Sequence, residues 1–190
     1  MSISPGDDGA VTAWALAAGA GDRRALERFV RATQRDVWRL VAHLTDPGRA
    51  DDLAQEVYLR ALRSLPAFEG RSSARTWLLS IARRTVVDHL RAAGARPAIA
   101  WSADYHQAAD AASAAGRDRA GFEDVVEVTV LLADLSPERR EALLLTQVLG
   151  LSYAEVAEIC GCPVGTIRSR VARAREDLLR DKGNRDAGTA

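Results

Sequence analysis

The sequence predicts an all-α protein made of two small helical domains joined by a flexible linker. Apolar residues recur at three-to-four spacing along almost the whole chain. No run of alternating apolar and polar residues bounded by turns indicates a strand. Over 190 residues, a hydrophobic content of 47% with 27% charged residues is typical of a globular chain rather than a disordered one.

The first domain, residues 1–95, is predicted to contain four helices. A short helix is followed by a Gly-Asp break at 21–22, and a long helix then ends at the sequence DPG. A third helix covers about residues 51–65 and stops before Pro66. After the loop FEGRSS, a fourth covers about residues 74–93.

The second domain, residues 123–182, follows a flexible linker at 96–122. The linker is predicted from an alanine-rich composition with only weak periodicity. The tail at 183–190 is expected to be disordered. Three helices are predicted in the second domain, over residues 137–149, 152–160 and 164–179.

Net charge gives no direct indication of a partner, because 26 basic residues balance 26 acidic ones. The N-terminal stretch lacks a basic segment followed by an apolar one, and no window approaches the apolar length of a membrane span. We therefore expect a cytoplasmic protein that does not bind membranes.

The chain shows no nucleophile and base pair, no phosphate-binding glycine loop and no set of metal ligands, so we expect neither enzymatic activity nor a cofactor. No other cysteine or histidine lies near Cys160 and Cys162, which disfavours a zinc site. Because Cys160 continues the apolar stripe of Val156 and Ala157, we expect it to act as a small buried hydrophobe.

The stretch CGCPVGTIRSRVARAR, residues 160–175, indicates a helix that reads DNA. A tight turn with glycine and proline separates two predicted helices, as in a helix-turn-helix. At about 100° per residue, the apolar residues from Val164 to Leu178 form one stripe. Arginines elsewhere on the helix suit base edges and phosphates. A solvated face and a membrane-surface helix are the alternatives, but the stripe has no large aromatic anchor.

The run LSPERREALLLTQVLGLSYAEVAEICGCPVGTIRSRVARAREDLL, residues 135–179, closely resembles region 4 of bacterial extracytoplasmic-function sigma factors. The resemblance implies that the helix beginning at Val164 recognises the minus-thirty-five element of promoter DNA. It places Arg168, Ser169 and Arg173 at bases or nearby backbone, with Thr166 and Arg170 in support.

Residues 51–58, DDLAQEVY, resemble region 2.2 of the same family, which docks on the clamp helices of the RNA polymerase β′ subunit. On a helical wheel, Asp52, Gln55 and Glu56 point away from the apolar stripe, and we call these three residues the acidic ridge. The alternative is an acidic first turn that favours the helix dipole. The resemblance implies core RNA polymerase as a partner, through the β′ clamp helices and the β flap.

The segment 68–91, FEGRSSARTWLLSIARRTVVDHLR, resembles regions 2.3 and 2.4, which open and read the minus-ten element. Residues 71–96 hold six arginines against one aspartate, which suits single-stranded DNA. The loop at 69–73 is the candidate for holding a flipped nontemplate base. The minus-ten candidates are Phe68, Arg71, Ser72, Ser73, Arg75, Trp77, Arg83, Arg84, Asp88 and Arg91.

Two of these minus-ten candidates have an additional feature. Trp77 borders the buried stripe, so it is either a core residue or a wedge between bases. Arg84 stands where the family often has asparagine, so the base contact usually ascribed to that asparagine does not carry over to this chain.

The predicted function is that of a sigma factor, which binds core RNA polymerase and directs promoter-specific transcription initiation. An anti-sigma factor is a further candidate partner. The main alternative is a helix-turn-helix regulator without a polymerase-docking role, and a weaker one is a helical protein that sequesters another factor. The acidic ridge together with the basic segment favours the sigma factor, because a plain regulator needs no polymerase dock.

Overall fold

The computed structural model describes residues 8–45, 47–94, 128, 131–132 and 134–187, so the predicted linker at 96–122 lies outside the described residues. All regular secondary structure in these ranges is helical, which confirms the predicted fold class. The α-helices are α1 (Asp8–Gly19), α2 (Arg23–Leu44), α3 (Ala50–Ser64), α4 (Ala74–Ala92), α5 (Pro137–Leu143), α6 (Tyr153–Cys160) and α7 (Val164–Ala187).

Helices α1 to α4 form the first helical unit, and side-chain caps fix where two of them begin. The Asp22 carboxylate accepts the amides of Arg24 and Ala25 at 2.9 and 3.1 Å, which starts α2 directly after the Gly-Asp break. The Ser73 hydroxyl accepts the Thr76 amide at 3.1 Å and starts α4. The core between these helices includes Phe29, Val37, Leu40, Val57, Leu78 and Val86.

Helices α6 and α7 form the predicted helix-turn-helix. Ser152 and Glu155 make a reciprocal capping box at the start of α6. Gly161 ends α6 with a φ of 64°, a left-handed conformation that glycine adopts without steric cost. Ile167 and Val171 are buried and form the inward face of α7. The turn therefore holds α7 across α6 with its other face outward.

Two helix ends differ from the sequence prediction. The helix expected over 137–149 changes at Leu144–Val148 into a π-helical turn, in which Leu144 and Leu145 are both buried. Helix α7 continues to Ala187, whereas a disordered tail was expected from residue 183. No proline interrupts this stretch, and Arg180 pairs with Asp177 at 2.6 Å one turn away.

The two helical units pack together through α4 and α6, and their buried apolar residues form one continuous cluster. A buried guanidinium lies at this junction. Arg75 on α4 donates from Nε to Asp36 Oδ2 on α2 at 2.7 Å and from Nη2 to the Leu149 carbonyl at 2.6 Å. Both side chains of the Arg75–Asp36 pair are only 4% exposed. One arginine thus connects α2, α4 and the end of the π-helical turn.

We expect Asp36→Asn to lower the free energy of unfolding by about 3 kcal/mol, because it leaves the buried Arg75 charge without its counter-charge. The matched change Glu69→Gln removes the carboxylate of an exposed pair with Arg71 and should cost less than about 1 kcal/mol. Urea titration of both variants measures the difference. Equal losses would show that the Arg75–Asp36 pair does not contribute as a buried pair.

Candidate nucleic-acid and polymerase interfaces

The outward face of α7 carries the predicted minus-thirty-five residues. Arg168, Ser169 and Arg173 are exposed, and Thr166 is half-buried. The Ser169 hydroxyl donates to the Thr166 carbonyl at 2.9 Å, which leaves its oxygen able to accept from a ligand. Within the described residues, neither Arg168 nor Arg173 forms an ion pair. Their guanidinium groups are therefore available to a ligand.

Two other arginines of α7 contact neighbouring parts of the same helical unit. Arg170 is half-buried, and its Nη1 lies 3.9 Å from the Cys162 sulfur in the turn. Arg175 donates to Gln147 Oε1 on the π-helical turn at 3.2 Å. At about 100° per residue, Thr166, Ser169 and Arg173 lie on the side of α7 away from its buried stripe, and Arg168 and Arg170 flank that stripe on either side.

Cys160 and Cys162 both carry free thiols. Cys160 is half-buried rather than fully buried as expected, and its sulfur lies 3.7 Å from Glu141 Oε2. Burial, followed by the Glu141 charge, raises the pKa of the Cys160 thiol to about 12. Among the described residues, no group of histidine, cysteine and acidic side chains is arranged to hold a metal ion.

The loop before α4 brings several minus-ten candidates together. Phe68 packs on Trp77 with ring centroids 4.8 Å apart, and both rings are half-buried. Trp77 is therefore part of an aromatic pair at the edge of the core. Arg71 is exposed and donates to Glu69 at 2.7 Å within the loop. Ser72 is half-buried, and Ser73 is committed to the α4 cap.

The arginines predicted on α4 divide into two groups. Arg84 and Arg91 are exposed. Arg75 is buried at the junction described above, and Arg83 makes two hydrogen bonds to Glu141 on α5, at 2.7 and 3.2 Å. Burial lowers the pKa of Arg83, but the hydrogen bonds and charge of Glu141 outweigh it and hold that pKa above its ordinary value. In this conformation, two of the predicted DNA-contacting residues, Arg75 and Arg83, are hydrogen-bonded within the protein instead of being available to DNA.

Asp88, the acidic minus-ten candidate, is exposed and accepts from Arg60 of α3 at 2.9 Å. Arg60 also donates to Glu56 at 2.8 Å. The two hydrogen bonds raise the pKa of the Arg60 guanidinium, with the bond to Glu56 contributing most. Arg60 therefore connects the minus-ten face of α4 to the acidic ridge of α3.

The acidic ridge lies on the outward side of α3. Asp52 and Gln55 are exposed and Glu56 is half-buried, while Leu53 and Val57 are buried on the opposite side. Two leucines that the sequence reasoning did not single out extend the same face: Leu59 is 45% exposed and Leu62 is 39% exposed. Their signal was present in the sequence, because both lie at helical spacing from the ridge.

Glu141 is a site residue that the sequence analysis missed. It neutralises Arg83 and also lies beside the Cys160 thiol. The sequence carries no signal for this contact, because Glu141 and Arg83 are 58 positions apart on different helices.

In the part of the chain that the structure describes, no helix is both long enough and apolar enough to cross a membrane.

Comparisons with known proteins identify the family of this chain. The family model of Sigma-70 region 2 matches residues 29–96, and that of Sigma-70, region 4 matches residues 126–178. The ECF RNA polymerase sigma factor SigC of Mycobacterium tuberculosis is 58% identical over 95% of this chain and 96% of its own. The ECF RNA polymerase sigma-E factor of Escherichia coli is 35% identical over 83% of this chain and 86% of its own.

Solved structures agree as well. The sigma factor RpoE from Bartonella quintana, in complex with the anti-sigma factor NepR, has a TM-score of 0.64 and 26% identity, covering 82% of this chain and 94% of that one. CnrH, in complex with the cytosolic domain of CnrY, shares the fold with a TM-score of 0.67 at 22% identity, covering 92% of this chain and 98% of that one.

The chain belongs to the extracytoplasmic-function sigma factors of the sigma-70 family. The predicted function in transcription initiation with RNA polymerase is therefore confirmed, and the alternative of a regulator that acts without polymerase is not supported.

We expect Cys160 to react slowly with iodoacetamide, because a thiol pKa of about 12 leaves little thiolate at pH 8. In a Cys162→Ser variant, where Cys160 is the sole thiol, the native protein should react about a thousandfold more slowly than the same chain in urea. Adding Glu141→Gln should speed the native reaction, because it removes a charge that raises the pKa. Native and unfolded rates within a few-fold of each other would contradict the burial of this thiol.

Proposed function

We propose that three separate surfaces divide the work of initiation. The acidic ridge on α3 docks on core polymerase, the 68–91 segment opens and reads the minus-ten element, and α7 holds the minus-thirty-five element. The observation that carries the proposal is the separation of charge: the outward face of α3 is acidic, whereas arginine is the commonest exposed residue on α7 and in the minus-ten segment.

The ridge is suited to a protein partner. Asp52 and Gln55 present an exposed carboxylate and an amide. Leu59 adds an exposed apolar side chain on the same face. Charged groups beside an apolar contact give both orientation and affinity in an interface. We propose the β′ clamp helices as the partner of this ridge and the β flap as a second contact of the chain.

The minus-ten segment supplies both aromatic and cationic groups. Exposed Arg84 and Arg91 would neutralise the DNA backbone, and the loop at 69–73 would hold an extruded base. Because Arg83 is bound to Glu141, its use in DNA binding requires this pair to separate. We propose that α4 and α5 separate at this pair when the complete set of minus-ten residues engages promoter DNA. That set consists of Phe68, Arg71, Ser72, Ser73, Arg75, Trp77, Arg83, Arg84, Asp88 and Arg91.

The domain limits are part of the proposal. Residues 1–95 would form region 2, residues 123–182 region 4, and 96–122 the linker between them. The chain would act without chemistry of its own, in the cytoplasm where its polymerase and promoter partners are. The RpoE relative is bound to an anti-sigma factor, so an anti-sigma factor is a candidate partner here too.

Reconstituted transcription tests the proposal as a whole. The chain, mixed with bacterial core polymerase and a library of promoter fragments, should give transcripts that start at a shared pair of upstream sequences. Sequencing the selected promoters identifies both elements. A chain that binds duplex DNA alone but neither binds core nor supports initiation would contradict the proposal.

We expect Arg173→Ala to weaken binding of the minus-thirty-five duplex about tenfold, because an arginine that contacts a base or phosphate contributes about 1–3 kcal/mol. Arg175→Ala, on the same helix but bound to Gln147, is the matched control and should change binding less than about threefold. Fluorescence anisotropy measures DNA binding, and a core pull-down measures polymerase binding. Loss of both activities in Arg173→Ala would contradict the division between surfaces.

We expect reversal of Asp52 and Glu56 to lysine to weaken core binding about tenfold or more, because like charges then face a basic partner surface. Reversal of the exposed Glu27 and Glu158 changes the net charge equally and should leave core affinity within about twofold. Competition against a labelled sigma factor for core polymerase measures the affinity. Unchanged core affinity in the ridge variant would exclude the ridge as the dock.

A further inference from the structure

We propose that α1 braces the loop at 69–73 and that Thr12 is a positioning residue for recognition of the minus-ten element. This inference rests on the proposed function of that loop. Helix α1 (Asp8–Gly19) lies entirely before residue 29, where the region 2 family match begins. Its contacts with the loop therefore assign it a role that the family match does not cover.

The main contact is a hydrogen bond between elements far apart in sequence. The Ala74 amide at the start of α4 donates to Thr12 Oγ1 at 3.0 Å, and the same hydroxyl donates its own proton to the Asp8 carbonyl at 2.8 Å. The first amides of a helix have no partner within it. Because the Thr12 proton is committed to Asp8, its oxygen is held ready to accept from Ala74. Helix α1 thus completes the cap that Ser73 begins at Thr76.

The loop itself touches the same face of α1. Gly70 has a φ of 70°, a conformation that favours glycine, and it forms the turn of the loop. A Cβ built on Gly70 would lie 3.5 Å from Leu16 Cδ1 and 3.8 Å from Thr12 Cγ2. Both α1 side chains therefore pack against the turn.

The end of α1 contacts the beginning of the same connection. A Cβ built on Gly19 would lie 2.7 Å from the Leu65 carbonyl oxygen, closer than real contacts allow. Glycine is required there because the two backbones approach so closely. Helix α1 therefore touches the connection between α3 and α4 at Leu65, at Gly70 and at Ala74, which are its start, middle and end.

Anchoring of α1 and bracing of the loop depend on different faces of this helix. Val11 is 1% exposed and Ala15 is fully buried, and these two residues fix α1 in the core. Thr12 is only half-buried and Leu16 is 42% exposed, on the side toward the loop. Replacing the Thr12 hydroxyl by a methyl group of the same shape removes the hydrogen bond and leaves the buried anchor in place.

The test uses holoenzyme assembled from the full chain and core polymerase, with fork-junction DNA that exposes the minus-ten nontemplate strand. We expect Thr12→Val to weaken binding of this DNA about tenfold and to reduce discrimination against a replaced base at the flipped position. Thr12→Ser keeps the hydroxyl and should restore both. The matched control is Thr45→Val, outside the minus-ten segment, because the buried Thr45 hydroxyl also donates to a carbonyl four residues earlier, at 2.7 Å.

The measurements separate positioning from a general loss of stability. Thr45→Val should bind the fork-junction DNA like the unaltered chain, and binding of a minus-thirty-five duplex should not change in any variant. Unchanged affinity and base discrimination in Thr12→Val, or equal losses in Thr12→Val and Thr45→Val, would overturn the brace while the proposed function stands. Failure of the unaltered holoenzyme to bind the exposed strand would instead overturn the proposed function and the brace together.

Discussion

The buried guanidinium of Arg75 is the interaction on which the described conformation depends. It donates to a carboxylate of α2 and to a backbone carbonyl at the end of the π-helical turn, so it belongs to both helical units at once. A buried charge is stable only while its partners stay in place. Because its partners lie on α2 and at the end of the π-helical turn, Arg75 stabilises the packing of the two units against each other.

The start of α4 is held in place by hydrogen bonds from several parts of the chain. Ser73 caps this helix from within, Thr12 accepts from its first amide, and Glu155 of α6 accepts a hydrogen bond from Thr76 at 3.3 Å. Burial acts to raise the pKa of the Glu155 carboxyl, but the hydrogen bonds from Ser152 and Thr76 and the charge of Arg75 outweigh it and lower that pKa. Three elements therefore determine the shape of the loop at 69–73. Two of them belong to the first helical unit, and only α6 belongs to the second.

Although the net charge is zero, acidic and basic side chains lie on separate surfaces of the protein. The acidic ridge and the arginine-bearing faces lie on different helices, and Arg60 connects them by pairing with Glu56 and Asp88. An exposed pair of this kind contributes little to stability. Arg60 instead neutralises the acidic charges where the two surfaces meet. The remaining negative charge therefore lies near Asp52, and the remaining positive charge lies near Arg84 and Arg91.

The sequence by itself determined most of the helices, the turn at Gly161 and the outward faces of α3 and α7, because these depend on periodicity and on local capping. The family was indicated by the resemblance of the chain's motifs to sigma factor regions 2 and 4. The sequence did not determine which arginines are available to DNA. Arg75 is neutralised by Asp36, 39 positions away, and Arg83 by Glu141, 58 positions away. It also gave no indication that Thr12 closes α4 across 62 positions. Such pairings depend on how helices pack in three dimensions, and only the tertiary structure decided them.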